Sequence, residues 1–205
     1  MNPPEDPAAL LFSPPSGSPP AALPPNVERV LFTEEQVTQR IREVGAEIAA
    51  KYKGCDLKLI GVLKGAVFFL TALARAIEIP VQIDFLSISS FPGQASPRAP
   101  GVVRIAKDLD DPIEDMHVLL VEDIVDTGFT AGYLLRTLAG RGPKSLVICT
   151  LLDRTVRRIV PVPVEFRCFE IPDRFVVGCG LDYKQLYRNL GYIAVMKPER
   201  EKEKV

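Results

Sequence analysis

The sequence contains one histidine, no tryptophan and four cysteines, and no two cysteines form a CxxC pair. Zinc sites need several cysteine or histidine ligands at short spacing, so this scarcity argues against a zinc centre. Isolated cysteines are typical of a reducing compartment, and we expect a cytoplasmic protein. No obvious acid or nucleophile is paired with His117, which is interpreted as a capping or surface residue.

An excess of positive charge is also lacking, because the formal net charge is −1 and the pI is near 6.0. Nucleic-acid-binding proteins carry a basic surface, so we expect no nucleic-acid partner. The N-terminal segment has neither the basic start nor the long apolar core of a signal peptide, and we expect no membrane association. With 205 residues, 47% of them hydrophobic, the chain is long enough for one globular domain.

Proline is concentrated at the N-terminus, where residues 1–25 hold nine of the 19 prolines. Proline cannot donate to a hydrogen-bonded ladder, so this composition predicts a disordered tail over residues 1–26. Residues 199–205 are mostly charged and are predicted to form a short C-terminal tail. The predicted folded domain therefore spans residues 27–198.

Hydrophobic patterns predict alternating strands and helices along this domain. Thr33-Glu34-Glu35-Gln36 has the form of a capping box and precedes an amphipathic helical pattern. Strands are predicted at residues 57–63, 81–88, 101–106, 118–121, 146–152 and 164–171. This order predicts an α/β fold with a mostly parallel sheet flanked by helices.

The most informative stretch is VLLVEDIVDTGFTAG, residues 118–132. Its apolar start predicts a strand buried on both faces, and Glu122 and Asp123 follow at the carboxyl end, where open α/β sheets bind ligands. Residues 126–130 predict a tight turn that leads into a helix. The unpaired N–H groups of a helix start bind anions, and the hydroxyls of Thr127 and Thr130 add donors.

A ribose 5-phosphate fits this arrangement, because the turn would bind its phosphate and the two carboxylates would accept hydrogen bonds from its hydroxyls. Two simpler interpretations remain open from the residues alone. The acidic pair is either merely solvated or holds Mg²⁺, as carboxylates do in many phosphate-handling folds.

The same motif resembles the phosphoribosyl-diphosphate-binding motif of the type I phosphoribosyltransferases. Further segments resemble the hypoxanthine-guanine branch of that family and follow in family order: Leu63-Lys64-Gly65, Phe169 to Asp173, Phe175 to Gly178, Leu181 to Tyr183, and Arg188. The resemblance implies the fold of that family, with a small hood formed by the N- and C-terminal segments of the domain.

The resemblance also implies roles in the transfer of a phosphoribosyl group to hypoxanthine or guanine. Asp126 is expected to be the catalytic group that handles the proton at N7 of the purine. Glu122 and Asp123 are expected to hold the ribose hydroxyls near the cationic sugar of the transition state. The residues expected to bind the 5-phosphate are Asp126, Thr127, Gly128, Phe129 and Thr130, with Phe129 contributing only its backbone.

Pyrophosphate, purine and metal would contact a second group of residues. Lys64, Gly65 and Arg188 are the expected pyrophosphate contacts, since Gly65 allows a close backbone approach. Mg²⁺ is expected to arrive with the diphosphate and to be held by Glu122, Asp123 and Asp182. The residues expected to contact the purine are Arg154, Phe175, Val176 and Asp182, with Phe175 stacking on the ring.

Two positions depart from the family pattern. Residues 89–101 are predicted to form a mobile loop over the reaction centre, in which Ser90-Phe91 replaces the usual Ser-Tyr pair, so the phenolic hydroxyl is missing. Arg154 replaces a lysine that meets the exocyclic oxygen of the purine. Arginine still donates to that oxygen, so we expect selectivity for 6-oxopurines with an altered ratio of hypoxanthine to guanine use.

Purine salvage is thus the leading functional hypothesis, with phosphoribosyl diphosphate, hypoxanthine and guanine as partners. A non-catalytic or regulatory relative that binds phosphoribosyl diphosphate is the alternative, and a weakened enzyme is a third, motivated by Phe91 and Arg154. The apolar surface of a small α/β domain further predicts a homodimer or homotetramer.

Overall fold

The computed structural model describes residues 23–91 and 102–198. In chain order its elements are β1 (Val27–Phe32), α1 (Glu34–Lys51), β2 (Leu57–Leu63), α2 (Val67–Ala76), β3 (Gln82–Phe91), β4 (Val102–Lys107), β5 (His117–Val125), α3 (Phe129–Ala139), β6 (Ser145–Asp153), β7 (Val164–Glu170), β8 (Val176–Val177) and β9 (Ile193–Met196). A single turn of 3-10 helix, Thr155–Arg157, follows β6.

Six strands form the central sheet in the order β4-β3-β2-β5-β6-β7. The four junctions from β3 to β7 are parallel, and only the edge strand β4 runs antiparallel to its neighbour. The predicted mostly parallel sheet is therefore confirmed. Chain order reverses beside β2 and β5, so their carboxyl ends border the switch point where sheets of this kind bind ligands.

Helices cover both faces of the sheet. Successive side chains of a strand point to opposite faces, so each central strand contributes apolar residues to both sides. Leu119 and Val121 of β5 belong to the apolar cluster that includes α1 and α2. Val118 and Leu120 pack instead in the cluster that includes α3. The predicted capping box is present at the start of α1, where Thr33 accepts from the N–H of Gln36.

A second sheet of three antiparallel strands, in the order β1-β9-β8, joins the two ends of the described chain. β1 pairs with β9 from Val27↔Met196 to Phe32↔Ile193, and Val176 of β8 pairs with Val195. Val177 and Ala194 belong to a third, smaller apolar cluster, which is separate from the two clusters of the central sheet. This sheet positions the segment that carries Phe175.

The end of β3 differs from the prediction. The strand continues to Phe91, three residues beyond the predicted end at Ile88, because it pairs with β4 down to Phe91↔Val102. Residues 89–91 of the predicted mobile loop thus belong to β3, and residues 92–101 lie outside the described residues, as do the side chains of Ser90 and Phe91. Most of the predicted N-terminal tail, residues 1–22, and the C-terminal tail also lie outside them.

Two smaller observations concern the rest of the described chain. No helix in residues 23–91 and 102–198 is both long and apolar enough to cross a membrane. His117 begins β5, and its Nδ1 lies 2.7 Å from the hydroxyl oxygen of Ser145.

Candidate active site

A cleft of about 330 Å³ opens at the carboxyl ends of β2 and β5. Its lining includes eight of the residues that the sequence selected from separate segments: Gly65, Glu122, Asp123, Asp126, Thr127, Gly128, Thr130 and Arg188. The parallel sheet brings these segments together, because β2 and β5 are direct neighbours.

The turn between β5 and α3 is built for close packing around Gly128. This residue has φ of 86°, and a side chain on it would place Cβ 2.2 Å from the carbonyl oxygen of Val160. Gly128 is also the N-cap of α3, so the first N–H groups of that helix are free to bind an anion. The side chain of Phe129 is 47% exposed and does not line the cleft.

Glu122 and Asp123 place two neighbouring carboxyl groups in this cleft. Glu122 is 5% exposed, and its Oε1 is buried without a hydrogen-bond partner. Burial, and secondarily the adjacent charge of Asp123, raises the pKa of Glu122 well above its usual value. Such a carboxyl is a site for a ligand hydroxyl or a cation that would supply the missing partner.

Asp123 is held against the turn that follows β2. Its Oδ1 accepts from the N–H of Ile124 at 2.9 Å, and its Oδ2 would lie 1.7 Å from a Cβ placed on Gly65. Burial raises the pKa of Asp123, although backbone N–H donors and the charge of Arg188 oppose the shift. The glycine at position 65 is therefore needed because the carboxylate occupies the space of a side chain.

Asp126 lies between two arginines. Its Oδ2 is 3.2 Å from Nη1 of Arg154 and 3.5 Å from Nη1 of Arg157, whereas its Oδ1 is buried without a partner. One oxygen of this carboxylate is thus anchored while the other is available to an incoming donor.

Arg154 was predicted to contact the purine, and it is not among the residues that line this cleft. The residue is 6% exposed, its Nη2 donates to the carbonyl of Arg174 at 2.6 Å, and its Nε has no partner. Arg154 therefore connects Asp126 to the segment that precedes Phe175.

Asp182 and Arg188, six residues apart, form an ion pair with 2.6 Å between Oδ1 and Nη2. Arg188 lines the cleft, but Asp182 does not. In the described residues no three acidic, histidine or cysteine side chains form a group able to hold a metal ion. Of the three predicted metal ligands, Glu122 and Asp123 are adjacent, and the charge of Asp182 contributes to the raised pKa of Asp123.

The remaining predicted residues lie outside the cleft. Lys64 is exposed, and its peptide bond with Leu63 is cis. Phe175 is 54% exposed, makes an edge contact with Tyr183, and lines a second cavity of about 800 Å³. Val176 is buried in β8.

Sequence reasoning missed three charged residues behind the cleft: Asp153, Arg157 and Arg158. Asp153 ends β6 and is buried, where it pairs with Arg158 and Arg167. Glu122 was selected because a charged residue directly follows an apolar run. Asp153 follows the apolar run 146–152 in the same way.

Fold and cleft together define an α/β protein whose cleft lies at the switch point of its sheet, beside a helix start of the kind that binds anions. Residues 31–184 match the model of the phosphoribosyl transferase domain. A hypoxanthine-guanine phosphoribosyltransferase of Mycobacterium avium is 48% identical over 181 residues, which cover 85% of this chain and 88% of the relative. A hypoxanthine-guanine phosphoribosyltransferase of Bacillus subtilis is 42% identical over 173 residues, which cover 84% of this chain and 95% of the relative.

Solved structures agree with these relatives. A hypoxanthine phosphoribosyltransferase of Staphylococcus aureus superposes with a TM-score of 0.80 at 41% identity and covers 85% of this chain and 94% of that one. The chain belongs to the hypoxanthine-guanine phosphoribosyltransferase family, within the phosphoribosyl transferase domain class. The resemblance found in the sequence and the fold it implied are thereby confirmed.

Proposed function

We propose that this chain is a purine-salvage enzyme that transfers the 5-phosphoribosyl group of phosphoribosyl diphosphate to hypoxanthine or guanine. The products are IMP or GMP and pyrophosphate. The observation that carries the proposal is the single cleft in which the phosphate-binding turn, the adjacent carboxyls and Asp126 meet, in a chain of this family.

The turn from Asp126 to Thr130 binds the 5-phosphate through backbone N–H groups and the hydroxyls of Thr127 and Thr130. Glu122 and Asp123 accept hydrogen bonds from the ribose hydroxyls. Positive charge that develops at C1′ as its bond to pyrophosphate breaks would favour the ionised form of these carboxyls, whose negative charge then stabilises the oxocarbenium character. The unpartnered Oε1 of Glu122 supports this placement, because a ribose hydroxyl would satisfy it.

Proton transfer is assigned to Asp126. As N9 of the purine bonds to C1′, the proton on N7 must leave, and Oδ1 of Asp126, which is buried without a partner, would accept it. Phe175 stacks on the purine, and Val176 and Asp182 offer backbone groups to its six-membered ring. Arg154 donates to the exocyclic oxygen, which favours 6-oxopurines over adenine.

Pyrophosphate leaves toward Lys64, Gly65 and Arg188. Mg²⁺ usually binds phosphates with only one or two protein carboxylates, and the neighbouring Glu122 and Asp123 fit that requirement. Bound there, the ion would neutralise charge on the leaving pyrophosphate. Asp182 already pairs with Arg188, so its part is to orient that arginine or to contact the metal through water.

Assembly and location complete the proposal. We assign the chain to the cytoplasm, in keeping with its four free cysteines. We also assign it a homodimeric or homotetrameric state, for which Phe68 and Ile83, 44% and 46% exposed, offer apolar contact surface.

Nucleotide formation tests the proposal directly. Purified protein with Mg²⁺ and phosphoribosyl diphosphate should convert hypoxanthine and guanine quickly and adenine poorly, as followed by absorbance. Asp126→Asn should lower kcat by about 10²- to 10⁴-fold, because amide nitrogen and oxygen replace the proton acceptor. Asp110→Asn is the control, since that side chain is 77% exposed at a different site.

Two results would contradict the proposal. Comparable use of adenine would overturn the assignment of the base. Binding of phosphoribosyl diphosphate without any turnover would instead favour a non-catalytic relative of the family.

A further inference from the structure

A second layer of polar contacts lies behind the phosphate-binding turn, on the side away from the cleft. We infer that Asp153 and Arg158 form a positioning pair that aims the backbone N–H groups of this turn at the phosphoribosyl ligand. This inference rests on the proposed function for the identity of the ligand, but it concerns residues that have no role in that proposal.

The guanidinium of Arg158 contacts the turn from behind. Its Nε donates to the carbonyl of Asp126 at 2.9 Å, and its Nη2 donates to the carbonyl of Val125 at 3.1 Å. The same Nη2 also donates to Oδ1 of Asp153. One planar guanidinium thus joins the end of β6 to two successive carbonyls of the turn in a fixed fork geometry, whereas a lysine ammonium would be a point charge on a flexible stem.

The residues next to Arg158 continue this pattern. The N–H groups of Ile159 and Val160 both donate to the carbonyl of Thr127 at 2.9 Å. The N–H of Arg154 adds a bond of 3.0 Å to the carbonyl of Val125. Three consecutive carbonyls, at residues 125, 126 and 127, are therefore all fixed on the side away from the ligand.

Peptide geometry makes these contacts directional. In a planar trans peptide the carbonyl oxygen and the next N–H point in opposite directions. Carbonyls turned toward Arg158 and Val160 consequently turn the N–H groups of Asp126, Thr127 and Gly128 the other way. Those are donors of the turn that would bind the phosphate, so Arg158 acts on the ligand through the backbone and not by contact.

Burial supports a fixed geometry for the pair. The side chains of Arg158 and Asp153 are 16% and 4% exposed, so neither rearranges freely in solvent. Asp153 has a second partner, Arg167, whose side chain is 50% exposed and whose ion pairs within the described residues are with Asp153 and Glu170, not with the turn. Arg167 thus offers a matched control, because its removal takes one charge from Asp153 without touching the carbonyls.

The test measures binding of ribose 5-phosphate by calorimetry, together with KM for phosphoribosyl diphosphate and thermal stability. Arg158→Lys and Asp153→Asn should each weaken ribose 5-phosphate binding by about 10-fold or more, because small misplacements of binding groups have large effects. KM for phosphoribosyl diphosphate should rise in parallel. Arg167→Gln should bind ribose 5-phosphate like the unaltered protein.

The outcomes separate a positioning role from a merely structural one. If Arg158→Lys and Asp153→Asn lower Tm but bind ribose 5-phosphate with unchanged affinity at temperatures where they stay folded, the inference is overturned. If the unaltered protein forms no nucleotide yet Arg158→Lys weakens ribose 5-phosphate binding, the proposed function fails and the inference stands.

Discussion

The guanidinium of Arg154 makes two contacts at once, with Oδ2 of Asp126 at 3.2 Å and with the carbonyl of Arg174 at 2.6 Å. It thereby fixes the distance between the proposed proton acceptor and the segment that carries Phe175. A purine bound between these two elements would meet Arg154 at its edge. The identity of residue 154 should therefore influence both the orientation of Asp126 and the choice of base.

Arg154→Lys should change the ratio of kcat/KM for hypoxanthine to that for guanine by several-fold, while adenine remains a poor substrate. Lysine keeps the positive charge, but its single ammonium cannot bridge the carboxylate and the carbonyl with the same fork. Steady-state kinetics with the three bases would measure this. Arg157→Lys is the comparison, because Arg157 approaches the same oxygen from an exposed position and should alter the ratio less. Equal ratios in all three proteins would contradict the assignment.

Glu122→Gln should stabilise the free protein at neutral and alkaline pH. Because burial raises the pKa of Glu122 above 4.5, the unfolded chain loses this proton at a lower pH than the folded chain. Stability therefore falls as pH rises from 4.5 toward the folded pKa, and an uncharged glutamine avoids that loss. The gain in Tm should be absent near pH 4.5 and reach about 2 °C or more at pH 8.

Calorimetry between pH 4.5 and pH 8 would test this pH dependence. Glu78→Gln, at an exposed position, should show no comparable gain. Affinity for the phosphoribosyl ligand should fall in Glu122→Gln, because an acceptor of the ribose hydroxyls is altered. A gain in Tm that is equal at both ends of the pH range would contradict the explanation by burial.

Much of the fold followed from local patterns. The buried run at 118–121, the charged residues that follow this run and the capping box at Thr33 depend on neighbours in sequence, so the central strand, the first helix and the candidate site were predictable. The end of β3 was not, because its last residues are held by pairing with β4 rather than by their own composition.

The charged contacts behind the cleft were also not predictable from spacing. Arg158 reaches the carbonyl of Asp126 across 32 residues, and Arg154 reaches its side chain across 28. Whether a guanidinium faces a substrate or supports a carboxylate depends on the packing of β6 against β5. The sequence predicted that Arg154 contacts the base, but its ion pair with Asp126 required the structure.

Gly65→Ala should reduce kcat/KM by about 10- to 100-fold with only a modest loss of stability. A Cβ at this position would lie 1.7 Å from Oδ2 and 2.5 Å from Cγ of Asp123, so the carboxylate must move from its place in the cleft. Displacement of a binding group by about 1 Å is enough for an effect of this size. Gly140→Ala is the control, because its Cβ would have no neighbour closer than 3.6 Å.

A double variant identifies the cause of the Gly65→Ala defect. If the added methyl group acts by displacing Asp123, Gly65→Ala combined with Asp123→Ala should be no slower than Asp123→Ala alone, since the clash has been removed. Additive losses would mean that the methyl group obstructs the pyrophosphate itself. In that case Gly65 would serve the ligand by leaving space for it, and the close contact with Asp123 would be incidental to catalysis.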